Sequence, residues 1–277
     1  FDAFTCKDKE PWFAMPPAYQ GTERHAIIIG GGIAGCSMAY ALNKRGWKIT
    51  LLERNECVAS EASGNHCGVV MPLITKPEAA LGQVYMNAFL LACTWWKALA
   101  QEGEAGFDDV VQYVHEPKGQ ERFDAYKELV HPLFTCKEKE THTMPSFTIH
   151  GAGWVRPPLL CQRAIEACTN IDVYYHSDVS SLDYDGVNWS VHVKDKEPPY
   201  IAPVVIATAG TATLELFPKH GLNLGSLRGQ ISYLPPVLQT KKPLCAQGYI
   251  CPSVDGKQVI GATFHRGDFE TTLRKED

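Results

Sequence analysis

HAIIIGGGIAGCSMAYALNKRGWKITLLER, residues His25 to Arg54, is the stretch on which the fold turns. Three consecutive glycines sit between an apolar run and a longer uncharged segment. Such glycines suit a tight turn in an apolar core, a membrane insertion signal, or a cradle for a diphosphate. Ala26 to Leu42 spans 17 uncharged residues, the bottom of the range for a membrane span. It contains Gly30, Gly31, Gly32, Gly35, Ser37 and Tyr40, however, and divides into a strand and a helix. It also lacks the layout of a signal peptide. The expectation is therefore a protein with no membrane contact.

Ala26 to Ile29 reads as a buried strand, Ile33 to Lys44 as a helix ended by Gly46, and Lys48 to Leu52 as a second buried strand closed by Glu53. Gly30, Gly32 and Gly35 form G-x-G-x-x-G at the strand-to-helix turn. The first glycine permits the turn, the second lets backbone approach a pyrophosphate, and the third lets helix and strand pack closely. Ile33 and Ala34, in the first helical turn, offer N–H groups and the positive end of the helix dipole. Glu53 follows Gly35 by 18 residues, where a carboxylate accepts hydrogen bonds from a ribose diol. Strand, glycines, helix, strand and acid in this order predict dinucleotide binding. They do not separate FAD from NAD, and Arg54 reads either as a partner for NADP or as a solvated strand end.

The next segment decides between cofactors. Ala59 to Gly68, ASEASGNHCG, is a small, polar, glycine-punctuated loop leading into Val69-Val70-Met71-Pro72. A nicotinamide domain moves directly into another helix, whereas a loop doubling back past the pyrophosphate suits a flavin. The glycine loop, Glu53 and Ser63-Gly64-Asn65 resemble the D-amino-acid-oxidase-like FAD superfamily, which includes glycine and sarcosine oxidases. Further blocks carry a narrower resemblance: KEPWFAMPP (Lys9 to Pro17), ASGNHCGVVMPLITKPEAALGQVYMNAF (Ala62 to Phe89), RGQISYLP (Arg228 to Pro235) and GYICPSVDGKQVIGATFHRGD (Gly248 to Asp268). Spread over nearly the whole chain, they resemble the C-terminal oxidoreductase domain of the bifunctional proteins that build 5-methylaminomethyl-2-thiouridine in tRNA.

That resemblance implies an α/β fold: a Rossmann-like FAD-binding domain with an inserted α+β substrate domain built on an antiparallel sheet. It implies FAD as cofactor, modified tRNA as substrate, and a methyltransferase domain fused at the N-terminus. The implied reaction is oxidative removal of the carboxymethyl group of 5-carboxymethylaminomethyl-2-thiouridine at the wobble position, with glyoxylate leaving and 5-aminomethyl-2-thiouridine remaining. It also implies a backbone contact to the adenine side of FAD near Val179, and the return of Ala209-Gly210 to the cofactor. The expected boundaries are a linker over 1–22, the FAD-binding domain over 23–80 and 150–220, and the substrate domain over 81–149 and 221–277. In the superfamily another flavin-binding segment, with an Arg, follows the substrate sheet. The chain stopping at Asp277 is thus expected to be truncated there, with FAD weakly held or missing.

Elsewhere the pattern predicts a helix over 77–101, a strand and helix within 151–168, and strands over 171–177, 179–184, 189–194, 204–208, 227–234, 247–251 and 259–264. A planar guanidinium binds both oxygens of a carboxylate, so Arg228 and Arg266 are the candidates to hold the substrate, with Tyr249 and His265 lining its pocket. His66 is expected to be exposed. Cys67 is expected to be a buried thiol rather than a flavin attachment point. Trp95 and Trp96 are expected as core anchors rather than base-stacking platforms, and Lys137 to Glu140 as a solvated charge run. Lys241, Lys242, Arg266 and Arg274 are candidates for a basic rim toward tRNA.

Composition narrows the classes. Hydrophobic residues make up 45% and charged residues 21%, as in an ordinary globular protein. The net charge of −5 supplies no global attraction to nucleic acid, so RNA must be met by a local patch. The ten cysteines include no CxxC pair, so no metal site is expected, and they read as reduced thiols of a cytoplasmic protein. Three alternatives stay open: an oxidase of glycine, sarcosine or another small amine; a non-catalytic module packed against a methyltransferase; and a nicotinamide dehydrogenase.

Overall fold

The computed structural model describes residues 18–277 apart from 78, 116, 130, 141–142 and 218–223. The linker block Lys9 to Pro17 lies outside the described residues.

The opening motif folds as its pattern dictates: β1 (His25–Ile29), α1 (Ile33–Asn43) and β2 (Lys48–Leu52). After a loop come β3 (Gly68–Val70), α2 (Ala80–Leu99), β4 (Ala105–Gly106), β5 (Val110–Tyr113), α3 (Pro117–Lys127), β6 (Phe134–Lys137) and β7 (Ser146–Ile149). The chain then returns through β8 (Gly153–Val155), α4 (Pro157–Glu166), β9 (Ile171–Tyr174), β10 (Val179–Tyr184), β11 (Trp189–Val193), β12 (Lys196–Ala202), β13 (Val204–Ala207) and the short α5 (Thr213–Leu216). It ends in β14 (Leu227–Leu234), β15 (Leu244–Cys245), β16 (Tyr249–Ile250) and β17 (Gln258–Arg266).

β13, β1, β2 and β9 form a parallel sheet in that order. Its central strand is apolar on both faces because both faces are covered. Ala26 and Ile28, with Ile49 and Leu51 of β2, pack toward Ala39 of α1 and Ile165 of α4. Ile27 and Ile29, with Leu52, pack the other way onto Val191, Val193 and Ala202 of the antiparallel β10–β11–β12 sheet. The period-2 alternation of a strand thus sends alternate residues into two different cores.

A seven-stranded sheet, β14-β17-β16-β15-β5-β7-β6, forms the second body. It is antiparallel except where β15 runs parallel to β5. Val110, Phe147 and Ile149 of the sheet close a core with Phe89 and Cys93 of α2 and Phe123 and Tyr126 of α3. A small sheet, β3-β8-β4, joins the two bodies.

Several elements differ from the sequence reading. β12 was not among the expected strands; its charged, proline-bearing start Lys196-Glu197-Pro198-Pro199 pairs along an edge with β11 only, where proline is tolerated. β5, β6 and β7 fall in a segment with no clear periodicity. The strand read over 247–251 is only Tyr249–Ile250, because Ala246 N–H bonds the Gly248 carbonyl at 2.7 Å and makes 246–248 a turn. All nine described cysteines are free thiols. No helix among the described residues is long and apolar enough to cross a membrane.

Candidate active site

The glycine turn is built from close approaches. Gly30 has φ +101°, and a Cβ there would lie 2.7 Å from the Thr208 carbonyl oxygen. A Cβ on Gly35 would lie 1.9 Å from the Gly30 carbonyl oxygen and 2.8 Å from Thr208 Oγ1. That hydroxyl donates to the Ile29 and Gly30 carbonyls, so β13 pins the turn and leads directly to Ala209 and Gly210. Ser63 Oγ accepts the Ile33 N–H at 2.9 Å, bringing the loop against the start of α1. The other N–H groups of that first turn have no intrahelical partner, Ala34's among them.

Glu53 is buried at the end of β2. Its Oε2 accepts the Gly31 N–H at 2.7 Å; its Oε1 accepts Asn55 N–H at 2.8 Å and Asn55 Nδ2 at 2.9 Å. A carboxylate has about four lone-pair positions, so three bonds orient it and leave capacity for a hydroxyl. The Ser177 N–H donates to the Glu53 carbonyl at 2.8 Å, which carries the chain past this acid to Val179. Arg54 is an anchor for the loop: its Nε donates to Glu61 Oε1 at 2.7 Å, one residue before the turn Ala62–Gly64. Gly64 and Asn65 complete that turn and continue toward β3. Glycine turn, helix terminus and acid together fit the diphosphate and one ribose of a dinucleotide, and the following loop has room to run past it.

His66 is half-buried rather than exposed. Its Nε2 lies 3.0 Å from the Val254 carbonyl and its ring meets Tyr233 edge-on. Cys67 is a buried thiol packed with Cys251 and Val259. Trp95 packs edge-on against Tyr40 and Trp96 against the α2 core, both as anchors. Lys137 pairs with Glu140 and Glu138 with Lys127, a solvated network.

The four substrate-side candidates do not converge. The Arg228 guanidinium is buried and committed to Asp277, to Gln230 Oε1 at 2.9 Å and to the Thr272 carbonyl at 2.7 Å. These three partners take up most of the guanidinium, and Nε–H with the second Nη1–H is what it has left to offer a substrate carboxylate. His265 faces Arg228 across the β14–β17 pair, and its Nε2 meets the same Asp277 at 2.6 Å. Arg266, at the end of β17, is exposed. Tyr249 lies elsewhere, packed against the buried Cys67, Cys251 and Val259 where the loop meets the large sheet. Burial, helped by neighbouring thiols, pushes its phenol up to about 12, so it stays a neutral donor. The expected basic rim is also thinner than its composition: Lys242 pairs with Asp109 at 2.9 Å and Arg274 with Asp268 at 2.7 Å.

Two cavities of about 290 Å³ each flank the loop. One lies beyond β3, between Met71–Ile74, the end of β5 and Gln247. The other lies between Gly64, His66, Arg156, Tyr233 and Lys257. The first was not found from sequence, because its walls come from the aperiodic 102–149 segment and a two-strand turn. Among the described residues no group of three His, Cys, Asp or Glu side chains is placed to hold a metal.

The sequence profile described as FAD dependent oxidoreductase matches residues 25–277. The chain is 33% identical over 272 residues to the tRNA 5-methylaminomethyl-2-thiouridine biosynthesis bifunctional protein MnmC of Campylobacter concisus, covering 97% of this chain and 43% of that protein. Its counterpart in Campylobacter fetus is 30% identical, with 97% and 42% covered. The chain therefore spans less than half the length of these relatives. Glycine oxidase from Geobacillus kaustophilus shares the fold with TM-score 0.75 at 17% identity, covering 91% of this chain and 75% of that one. FAD-bound L-alpha-glycerophosphate oxidase from Mycoplasma pneumoniae does so with TM-score 0.68 at 17% identity, covering 90% and 73%.

Proposed function

Because the chain belongs to the FAD dependent oxidoreductase family, we propose that it is the oxidoreductase part of a two-activity tRNA-modifying protein. It removes the carboxymethyl group of 5-carboxymethylaminomethyl-2-thiouridine as glyoxylate and leaves 5-aminomethyl-2-thiouridine. The observation that carries this reading is the 33% identity over 97% of the chain with a relative named for the biosynthesis of 5-methylaminomethyl-2-thiouridine in tRNA. The glycine oxidases of similar fold from Geobacillus kaustophilus and Bacillus cereus are 17% and 20% identical and speak for the fold alone. A methyltransferase domain fused N-terminally is the implied partner, and the cytoplasm, where tRNA is modified, the implied location.

Bound FAD would supply the two-electron acceptor for oxidation of the carbon between amine and carboxylate to an imine, whose hydrolysis by water gives glyoxylate and the primary amine. The chain's own residues bind and orient. Gly30, Gly32 and Gly35 with the start of α1 take the pyrophosphate. Glu53 takes a ribose hydroxyl, Val179 lies on the adenine side, and Ser63 to Asn65 with Ala209-Gly210 wall the cofactor. Tyr249 offers a neutral phenol beside the loop. Buried Cys67 and Cys251, with Trp154 packed against them, make the apolar backing of that phenol. Arg266 remains an exposed guanidinium at the end of β17 for a substrate carboxylate or an RNA phosphate.

The test is glyoxylate release from tRNA carrying the carboxymethylaminomethyl group, run beside free glycine and sarcosine with the FAD-loaded chain. The expected result is glyoxylate in proportion to modified tRNA and negligible turnover of the free amines. Turnover of sarcosine or glycine with none from tRNA overturns the reading in favour of a small-amine oxidase.

A further inference from the structure

We propose that the cavity beyond β3 seats the pyrimidine ring of the substrate nucleotide, with the Gln247 carboxamide reading its imide edge. This inference rests on the tRNA reading above and names where that substrate is recognised.

The cavity has an apolar floor and a polar rim. Ile74, Val114 and Phe147 are buried beneath it, and Pro72 closes one wall. Its volume of about 290 Å³ is at the lower end for ligand clefts, a size for one substituted ring rather than a whole nucleotide. A ring buries its faces against apolar side chains and presents donors and acceptors only at its edge, which matches floor and rim. Met71 adds a thioether to the wall, a soft partner for a 2-thiocarbonyl, which is polarizable and a weak acceptor.

Gln247 sits in the tight turn closed by the Ala246–Gly248 hydrogen bond, and its carboxamide makes no hydrogen bond among the described residues. A carboxamide carries a donor and an acceptor side by side, the complement of the adjacent carbonyl and N–H of a uracil imide. Gln112 is held differently: its Nε2 donates to the Tyr113 carbonyl at 3.0 Å, which fixes that side of the rim. Arg122 Nη1 donates to the Ile74 carbonyl at 3.1 Å and so holds the Met71–Ile74 wall in place.

The position couples this cavity to the chemistry. Met71 lies three residues after Gly68, where the flavin-side loop ends, and Gln247 lies two residues before Tyr249. Tyr249 and Val69 of β3 both pack on the buried Cys67–Cys251–Val259 cluster. The two segments that line the cavity are thus the two that meet at the loop, so a base seated here carries its C5 arm next to the redox site. A free amino acid has no ring to fill this space. The cavity therefore accounts for a preference for the nucleotide over glycine on the same scaffold.

The test is equilibrium dialysis of the purified chain with the free nucleoside 5-carboxymethylaminomethyl-2-thiouridine, followed by the thiocarbonyl absorbance. Gln247→Ala is expected to weaken binding about tenfold, the worth of a good hydrogen-bond pair. Gly119→Leu, which pushes a side chain into the cavity from α3, is expected to abolish it. Lys257→Ala, in the other cavity, leaves it unchanged. Circular dichroism and melting temperatures matching the parent show that the variants fold. Binding unaffected by both Gln247→Ala and Gly119→Leu, or no saturable binding by the parent, overturns the cavity. The glyoxylate assay on the parent separates the two ideas. Glyoxylate with unaffected variants leaves the reaction standing and removes the cavity. Gln247-dependent binding with no glyoxylate leaves the cavity standing and removes the reaction.

Discussion

At the scale of single residues the glycine turn behaves as a set of distances. Gly35 is the tightest: its missing Cβ is what lets α1 lie against the Gly30 carbonyl and Thr208. Gly35→Ala is expected to push helix and strand apart and to abolish FAD uptake, read as loss of the structured flavin absorbance on titration. Parent-like FAD binding in this variant removes the cradle assignment. Arg228 teaches the opposite lesson. Its residue type suits a carboxylate, and it does bind one, but the carboxylate is Asp277 of the same chain. Three internal partners hold this guanidinium in place, and nothing local in RGQISYLP announces them.

Among the elements, β1 is the most strongly determined. Four consecutive apolar residues, each with a core to enter, leave it no other place than the centre of a parallel sheet. Ile28 is fully buried there. Ile28→Ala is expected to cost about 2–5 kcal/mol in urea unfolding. Ile201→Ala, on the exposed side of edge strand β12, is expected to stay within about 0.5 kcal/mol. Equal costs would mean that the parallel sheet is not the stability core. β12 also shows why it was missed: a charged, proline-bearing start carries no strand signal, and pairing to β11 alone supplies the reason for extension.

For the whole molecule, the junction between the two bodies rests on one acid. Glu104, buried just before β4, takes Arg163 of α4 through Nη2 at 2.9 Å and Nε at 3.2 Å, and the Gln101 N–H at 2.9 Å. Its carbonyl accepts the Arg156 N–H at 2.8 Å where β8 turns into α4. The Arg163 hydrogen bonds, partly offset by burial, hold the Glu104 carboxyl below the usual glutamate range. A carboxyl whose folded pKa is lowered contributes stability that is complete above its unfolded pKa and is lost as pH falls through the folded value. Glu104→Gln is therefore expected to lower the melting temperature at neutral pH, with the gap to the parent closing as pH falls below the ordinary glutamate range. A gap constant with pH rules out this clamp as an ionic one.

Much of the cofactor half was legible in the sequence, because its determinants are local. The βαβ unit is contiguous, its strands are apolar throughout, and glycines at fixed spacing carry a steric meaning that survives without neighbours. The bounds of β2, β10 and β14 follow from the same periodicity. The substrate side was legible only as a resemblance. Its strands β5 to β7 alternate weakly, and β15, the strand that pairs with β5, lies far along the chain after β13 and β14. The cavity they enclose with Met71–Ile74 exists only once β15 lies beside β5. Whether an arginine faces substrate or an internal acid, and whether a glutamine in a turn faces water or a ring, depends on that long-range pairing. Residue type set what each group is able to bind, and tertiary structure decided which of them is already taken.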